Sequence, residues 1–290
     1  MICEFLLFLF KKGYVATSLN VARNAISFFL SYCMDFATDS GILRLFKYFY
    51  RMKPSKPKYL TYWPIAKLLN FLAEWHPIHC LSLKQLTLKT AALIALSSSD
   101  RGQTIQLLNI ENTHLSEEAV TFERLKTTKR NSRPHEVKCL TSDTPSLNVC
   151  DYVMAYMNRT IAFREKSVSK GLGNPTQLFL SWSTHRPVTK ATIASWLTTT
   201  LAMAGIDTSQ FKAHSYRSAG LSMARSKGAT ISQIMTAGNW TNAKTFNSFY
   251  NAPADDTPVG QMILNHLQHS VSAINIIYVL LLICAIRYSC

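Results

Sequence analysis

Acidic side chains are scarce in this 290-residue chain: 16 Asp and Glu stand against 31 Lys and Arg, a formal net charge of +15. A field of that sign favours a polyanionic partner, nucleic acid before an acidic membrane surface, and says nothing about fold. Cysteine is unpatterned. Seven residues, at 3, 33, 80, 139, 150, 284 and 290, make an odd number without repeated spacing, which argues against a disulfide framework and for a reducing compartment. The Ser97-Ser98-Ser99 run lacks the Gly-x-Ser-x-Gly elbow of a hydrolase. His76-Pro77-Ile78-His79-Cys80 offers metal-binding residue types, but too few of them and with no second half. No internal repeat of fixed period is visible. The apolar run 273–286 is 14 residues long, interrupted by Asn275, against the roughly 20 needed to cross a bilayer. It is expected to be a packing helix or a misjoined coding segment rather than a tail anchor, so no stable membrane association is expected. At the N-terminus, Glu4 stands where a signal peptide carries Lys or Arg, and no small-residue cleavage site follows.

What remains is a chain 48% hydrophobic, enough to build a real core. Residues 1–58 hold nine Lys and Arg against three Asp and Glu. Helical patterns there are broken by Gly13 and by the Asp39-Ser40-Gly41 turn. The apolar spacing over Ser18–Tyr32 predicts a helix with Ser18 as its N-cap. Ile42–Met52 predicts another, with Arg44, Lys47 and Arg51 on one face. Such a stripe is usually a solvated surface; in so basic a segment, contact with a DNA backbone by Arg23, Arg44, Lys47 and Arg51 is the competing reading. Lys53-Pro54-Ser55-Lys56-Pro57-Lys58 cannot continue a helix and reads as an extended basic linker, with Lys53, Lys56 and Lys58 placed to lie along phosphates.

Beyond it, helices are predicted over Pro64–Trp75, Ser82–Ser97, Asn148–Lys166, Thr189–Ala204 (stopped by Gly205), Ala213–Lys227, Ile231–Gly238 and Lys244–Tyr250. Strands are predicted over Val120–Leu125, Glu136–Leu140 and Leu178–Ser181, the last ended by a Thr184–Pro187 turn. The fold class expected is mainly α with a small β-sheet (α+β). The expected domains are a helical DNA-binding domain over 1–52, a linker over 53–59, a catalytic domain over 60–267 and a hydrophobic tail of unknown role over 268–290.

Four pieces carry chemistry: Ser99-Asp100-Arg101-Gly102-Gln103-Thr104; Leu125-Lys126-Thr127-Thr128-Lys129-Arg130; His214-Ser215-Tyr216-Arg217; and Gly238-Asn239-Trp240 followed by Tyr250. Phosphodiester exchange needs a hydroxyl able to hold a covalent phosphate, which Tyr provides. It needs planar guanidinium groups to meet the charge that grows on the non-bridging oxygens. The departing 5′ oxygen needs a proton, from Lys or His. Arg101, Lys126, His214, Arg217 and Tyr250 fill that list, and His214 and Arg217, three apart, share one helix face. Against this stand duller readings: a surface Arg101, a helix-start His214, an ion-paired Arg217, a core Trp240, and a Tyr250 that merely packs with Phe246 and Phe249.

In that order of residues the chain resembles the tyrosine recombinases of phage-integrase type, and within them the eukaryotic mobile-element group of DIRS-like and Crypton enzymes. The family's order of Arg, Lys, His-x-x-Arg, His or Trp, and Tyr is filled by Arg101, Lys126, His214 and Arg217, Trp240 and Tyr250, over a resemblance covering about residues 1–255. The resemblance implies a two-domain clamp on duplex DNA, a 3′-phosphotyrosine intermediate on Tyr250 and a free 5′-hydroxyl. It also implies a homotetramer on two DNA sites and, because bond energy is kept in the protein–DNA link, no cofactor and no metal. Arg101 and Arg217 would clamp, His214 and Trp240 support, and Lys126 act as general acid, with Lys129 its rival on the same basic turn. Lys129, Arg130 and Arg133 are otherwise phosphate contacts or a solvated loop. Tyr216 suits a buried ring. Many family members carry an acidic residue where this chain has Thr104, and the N-terminal domain is expected to lack upstream helices. A nuclear location follows only from the DNA substrate. The alternatives are a catalytically inactive DNA-binding relic and DNA relaxation of type IB topoisomerase kind.

Overall fold

A computed structural model describes residues 2–30, 38–54, 56, 59–123, 136–172, 174–240 and 242–251. The chain divides into two compact units, Met1–Lys58 and Tyr59–Cys290.

Among its described residues the first unit holds three helices: α1 (Ile2–Lys11), α2 (Ala16–Phe29) and α3 (Ser40–Met52). Their apolar stripes meet in a core of Leu6, Ala16, Leu19, Ile42, Phe46 and Phe49, with Phe10 stacked on Phe49 at 4.5 Å between ring centres. Two sequence expectations shift here. Ser18 is not the cap of α2; the helix starts at Ala16 behind an extended Val15, because burying both Ala16 and Leu19 extends the helical face one turn earlier. Asp39 does not merely turn the chain. It caps α3, its Oδ1 accepting from the Ile42 amide at 2.8 Å.

The second unit begins with α4 (Ile65–Glu74) and α5 (Leu83–Ser98). Ser82 and Gln85 form a reciprocal capping box at the start of α5. That helix runs through the middle of the core and is buried on all sides over most of its length. Then come the short α6 (Gly102–Gln106), the strands β1 (Thr113–Leu115), β2 (Ala119–Phe122) and β3 (Val137–Leu140), and α7 (Val149–Ser169), capped by Asn148. The strands form one antiparallel sheet in the order β1-β2-β3. Phe122 pairs with Val137 at the end where β2 leaves and β3 returns. The fold is thus mainly helical with one small sheet, the α+β class expected. α8 (Lys190–Met203), α9 (Ser215–Ser226), α10 (Ile231–Gly238) and α11 (Ala243–Phe249) follow among the described residues.

Leu178–Ser181 is not a strand. Side chains do the work of a ladder there. The Arg164 guanidinium donates to the carbonyls of Pro175, Gln177 and Leu178, and the Tyr156 hydroxyl both donates to the Leu180 carbonyl and accepts from its amide. With the backbone satisfied this way, only isolated bridges remain, Asn109 with Gln177 and Leu180 with Pro187. The helix stops read from sequence hold: Thr189 caps α8 and Gly205 ends it at φ +70°. Among the described residues no helix is long and apolar enough to cross a membrane; the run 273–286 lies outside them.

Candidate active site

The site is built around α9. Its first turn is clamped from two sides: the Trp63 indole N–H donates to Ser215 Oγ at 2.9 Å, and the Tyr216 hydroxyl donates to the Leu197 carbonyl of α8 at 3.2 Å. Tyr216 is 1% exposed, the buried ring the sequence suggested. A helix start so held presents His214 and Arg217 in fixed positions.

Arg217 is a fully buried cation, 1% exposed. No carboxylate bonds it among the described residues. Instead Nη1 donates to the Ser99 carbonyl at 2.8 Å and Nη2 to the Gly238 carbonyl. Ser99 is the left-handed cap at the end of α5, φ +52°, and Gly238 is the last residue of α10. Both carbonyls belong to helix C-termini, where the peptide dipoles leave partial negative charge. The compensation is incomplete: burial, and then the positive charge of Arg101, push the Arg217 guanidinium down to about 10, while the tyrosine at 250 and Asp100 act in the opposite direction. Its Nε has no hydrogen-bond partner among the described residues. A desolvated guanidinium with a second positive charge near it raises the local potential in favour of negative charge.

Gly220 makes this approach possible. A Cβ there would lie 2.7 Å from Ser99 Oγ and 3.1 Å from the Leu96 carbonyl, so the bare backbone lets α9 close on the end of α5 and brings Arg217 to Ser99. Arg101 follows as the N-cap residue of α6, half-buried. Thr104, the position where a carboxylate was missing from the family pattern, is buried at 5% exposure. The carboxylate acting on Arg217 is Asp100, also buried at 7%; the sequence gives it no prominence because it sits directly before Arg101 rather than three positions after.

Tyr250 stands at the C-cap of α11, its amide bonded to the Phe246 carbonyl at 2.8 Å. Phe246 is fully buried with Leu221 and Ile234, a small cluster under the site against which Trp240 and Tyr250 pack. The Tyr250 hydroxyl lies 3.1 Å from His214 Nε2. Trp240 covers both neighbours, its ring 4.7 Å from that of Tyr250 and 4.4 Å from the Arg217 guanidinium carbon. That guanidinium is also 5.7 Å from the Tyr250 ring. His214 is exposed and forms one rim of an open groove of about 620 Å³, lined by Ala194, Thr198 and Ala202 of α8 and by Lys212.

Of the predicted catalytic residues, the fold therefore gathers Arg101, His214, Arg217, Trp240 and Tyr250. Lys126, Lys129, Arg130 and Arg133 lie outside the described residues, as does Lys58. In the first unit Arg44, Lys47 and Arg51 are exposed on the face of α3 away from Ile42, Phe46 and Phe49. Arg23 is half-buried, its guanidinium 5.1 Å from the Phe46 ring. Lys53 folds back onto its own unit, donating to the Gly13 carbonyl at 3.3 Å and lying 4.9 Å from the Phe10 ring. Lys56 is exposed.

The fold is that of the tyrosine recombinases and integrases. The chain is similar to an integrase of transposon Tn1549 solved in complex with transposon right-end DNA: 12% identity, TM-score 0.55, over 92% of this chain and 84% of that one. It is similar to a lambda integrase dimer bound to a COC′ core site at 12% identity and TM-score 0.52, over 89% and 66% of the two chains. A third is XerA recombinase, at 12% identity and TM-score 0.50 over 92% and 90%. No protein-family model matches the chain, and no curated protein matches it in sequence.

Proposed function

We propose that this chain is a site-specific DNA strand-transfer enzyme that cuts and rejoins duplex DNA through a covalent bond to Tyr250. The observation that carries the reading is the convergence of a tyrosine hydroxyl, a histidine nitrogen 3.1 Å from it and a buried arginine with a second arginine's charge beside it. The DNA-bound integrases that share the fold support it.

In this reading the Tyr250 oxygen attacks the scissile phosphorus and a Tyr–O–P bond forms as the bond to the 5′ oxygen breaks. His214 Nε2 takes the phenolic proton. Arg101 and Arg217 bind the non-bridging oxygens. Lys126 protonates the departing 5′ oxygen. A 5′-hydroxyl from the same or another strand reverses the step, so phosphodiester bonds are exchanged without net gain or loss. The groove beside His214, with small side chains on α8 and the charge of Lys212, admits the phosphate backbone. The basic face of α3 adds sequence-independent contact. A mobile-element enzyme of the DIRS-like or Crypton kind, working as a homotetramer on two sites in the nucleus, is the setting proposed.

The test is a nicked duplex that traps the covalent intermediate, drawn from a random-sequence pool. A labelled protein–DNA adduct that disappears in Tyr250→Phe is the expected result. Salt-sensitive binding without any adduct would replace the reading with that of a silent DNA-binding relic. Relaxation of supercoiled plasmid by monomers would replace recombination with a topoisomerase activity.

A further inference from the structure

Tyr250 belongs to a helix that cannot orient itself. α11 has seven residues, too few for a helix to be stable or fixed without outside contacts, and Tyr250 sits past its last residue, where carbonyls lose their intrahelical partners. Its amide is used within the helix, bonded to Phe246. The other two polar groups of Tyr250 both reach α9. The phenol oxygen meets His214 Nε2, and the main-chain carbonyl accepts from the hydroxyl of Ser222. His214, the N-cap of α9, and Ser222 are eight positions apart, about 12 Å along the helix axis and about 80° apart around it. Arg217 lies between them in height along that axis.

We propose that Ser222 is a positioning residue for the nucleophile: by holding the Tyr250 peptide while His214 holds its phenol, it makes α9 the single ruler that sets the tyrosine's distance from the Arg217 guanidinium. The inference rests on Tyr250 being the nucleophile. Ser222 is 2% exposed and touches no reacting atom. Its hydroxyl donates at the one point where the chain leaves α11, so without it the tyrosine is held by its side chain and by a short helix alone. The first turn of α9 is already anchored through Trp63 and Leu197, and Ser222 ties the tyrosine's peptide to that same helix.

The experiment compares wild type, Ser222→Ala and Ser222→Thr in single-turnover cleavage of the nicked duplex at saturating protein, well below every variant's melting temperature. DNA affinity and the pH–rate profile are measured alongside. Ser222→Ala is expected to slow adduct formation about tenfold to a hundredfold, the scale of a misplaced reacting group. Affinity should be unchanged and the pH profile should keep its shape, because the phenol–His214 contact is untouched. Ser222→Thr, which keeps the hydroxyl, is expected to recover most of the rate. An unchanged rate in Ser222→Ala overturns the proposal. So does a defect that disappears at saturating protein, or a Thr variant as slow as the Ala variant. Absence of adduct in wild type is a different result: it removes the role of Tyr250 itself, and this inference with it.

Discussion

The Arg217 guanidinium lies 4.4 Å from the centre of the Trp240 ring, with its two terminal nitrogens bonded to the carbonyls of Ser99 and Gly238. The indole lies over a cation that no carboxylate bonds among the described residues, and the indole's other neighbour is the Tyr250 ring. Trp240→Ala removes this cover from both. Adduct formation on the nicked duplex is expected to fall by more than tenfold. Trp240→Phe, which keeps a π face, should retain more activity than Ala. Equal losses in the two would show that the indole N–H, and not the ring, is what matters.

The same ring is shaped by a glycine. A Cβ on Gly238 would stand 2.3 Å from Trp240 Cε3, a separation that no repacking of a rigid ring tolerates without displacing it. Gly238→Ala is expected to destabilise the second unit by about 1–3 kcal/mol, the usual cost of overpacking, measured by urea unfolding. It should also lower the cleavage rate at least as far as Trp240→Phe does, because Arg217 bonds the carbonyl of the same residue.

Replacing the fork of Arg217 by a point charge tests the clamp. A lysine ammonium cannot present two parallel donors to an anion. Arg217→Lys is expected to slow adduct formation about a hundredfold to a thousandfold, comparable to loss of one preorganised transition-state donor. Binding to duplex pools should change little. A variant with near wild-type cleavage would assign the transition-state charge to other groups.

The basic face of α3 makes a separable prediction. If Arg44, Lys47 and Arg51 neutralise phosphates, replacing all three by Ala weakens binding to every sequence alike. The salt dependence of the logarithm of the binding constant should then become shallower by about 0.9 for each phosphate left without its cation. An unchanged slope would mark the stripe as an ordinary solvated surface.

Away from the site, Lys89 is fully buried. Its ammonium donates to the Trp75 carbonyl and the Tyr152 hydroxyl, each at 2.7 Å, and Tyr152 in turn meets His76 Nδ1 at 3.1 Å. Burial pulls Lys89 down to about 8 and pushes Tyr152 up to about 12. A folded value below the unfolded one means that, between about pH 8 and 10.5, the unfolded chain holds a proton the folded protein has released. Lys89 therefore adds stability as pH rises through that window. Tyr152 works the other way above about pH 10. Comparing wild type with Lys89→Met between about pH 7.5 and 9.5 isolates the lysine. The stability difference should move in favour of wild type by about 1–2 kcal/mol; a flat difference would contradict the buried-charge account.

Much of the architecture was legible because it is local. The Thr189 cap and the Gly205 stop act within four or five residues, and that helix falls where the spacing predicts. So does the pairing of His214 with Arg217, which needs only the helical repeat. Leu178–Ser181 misled for the opposite reason. Its composition is that of a strand, but its carbonyls are taken by Arg164 and Tyr156, whose side chains arrive from α7. β1 was missed because three residues left half-exposed or exposed, Thr113–Leu115, carry no pattern of their own and are strand only by pairing with β2.

The sequence by itself determined the basic charge, the helical class, the order of chemically apt residues and helix ends such as the Thr189 cap and the Gly205 stop, since each depends on composition or on neighbours a few positions apart. Tertiary structure alone decided what those residues meet. Arg217 reaches a carbonyl 118 positions away, and Asp100 rather than position 104 supplies the nearby negative charge. The tyrosine's peptide is held by a serine 28 residues upstream. Such meetings arise from helix ends and bare glycine backbones brought together by burial, and no spacing along the chain encodes where two packed surfaces will touch.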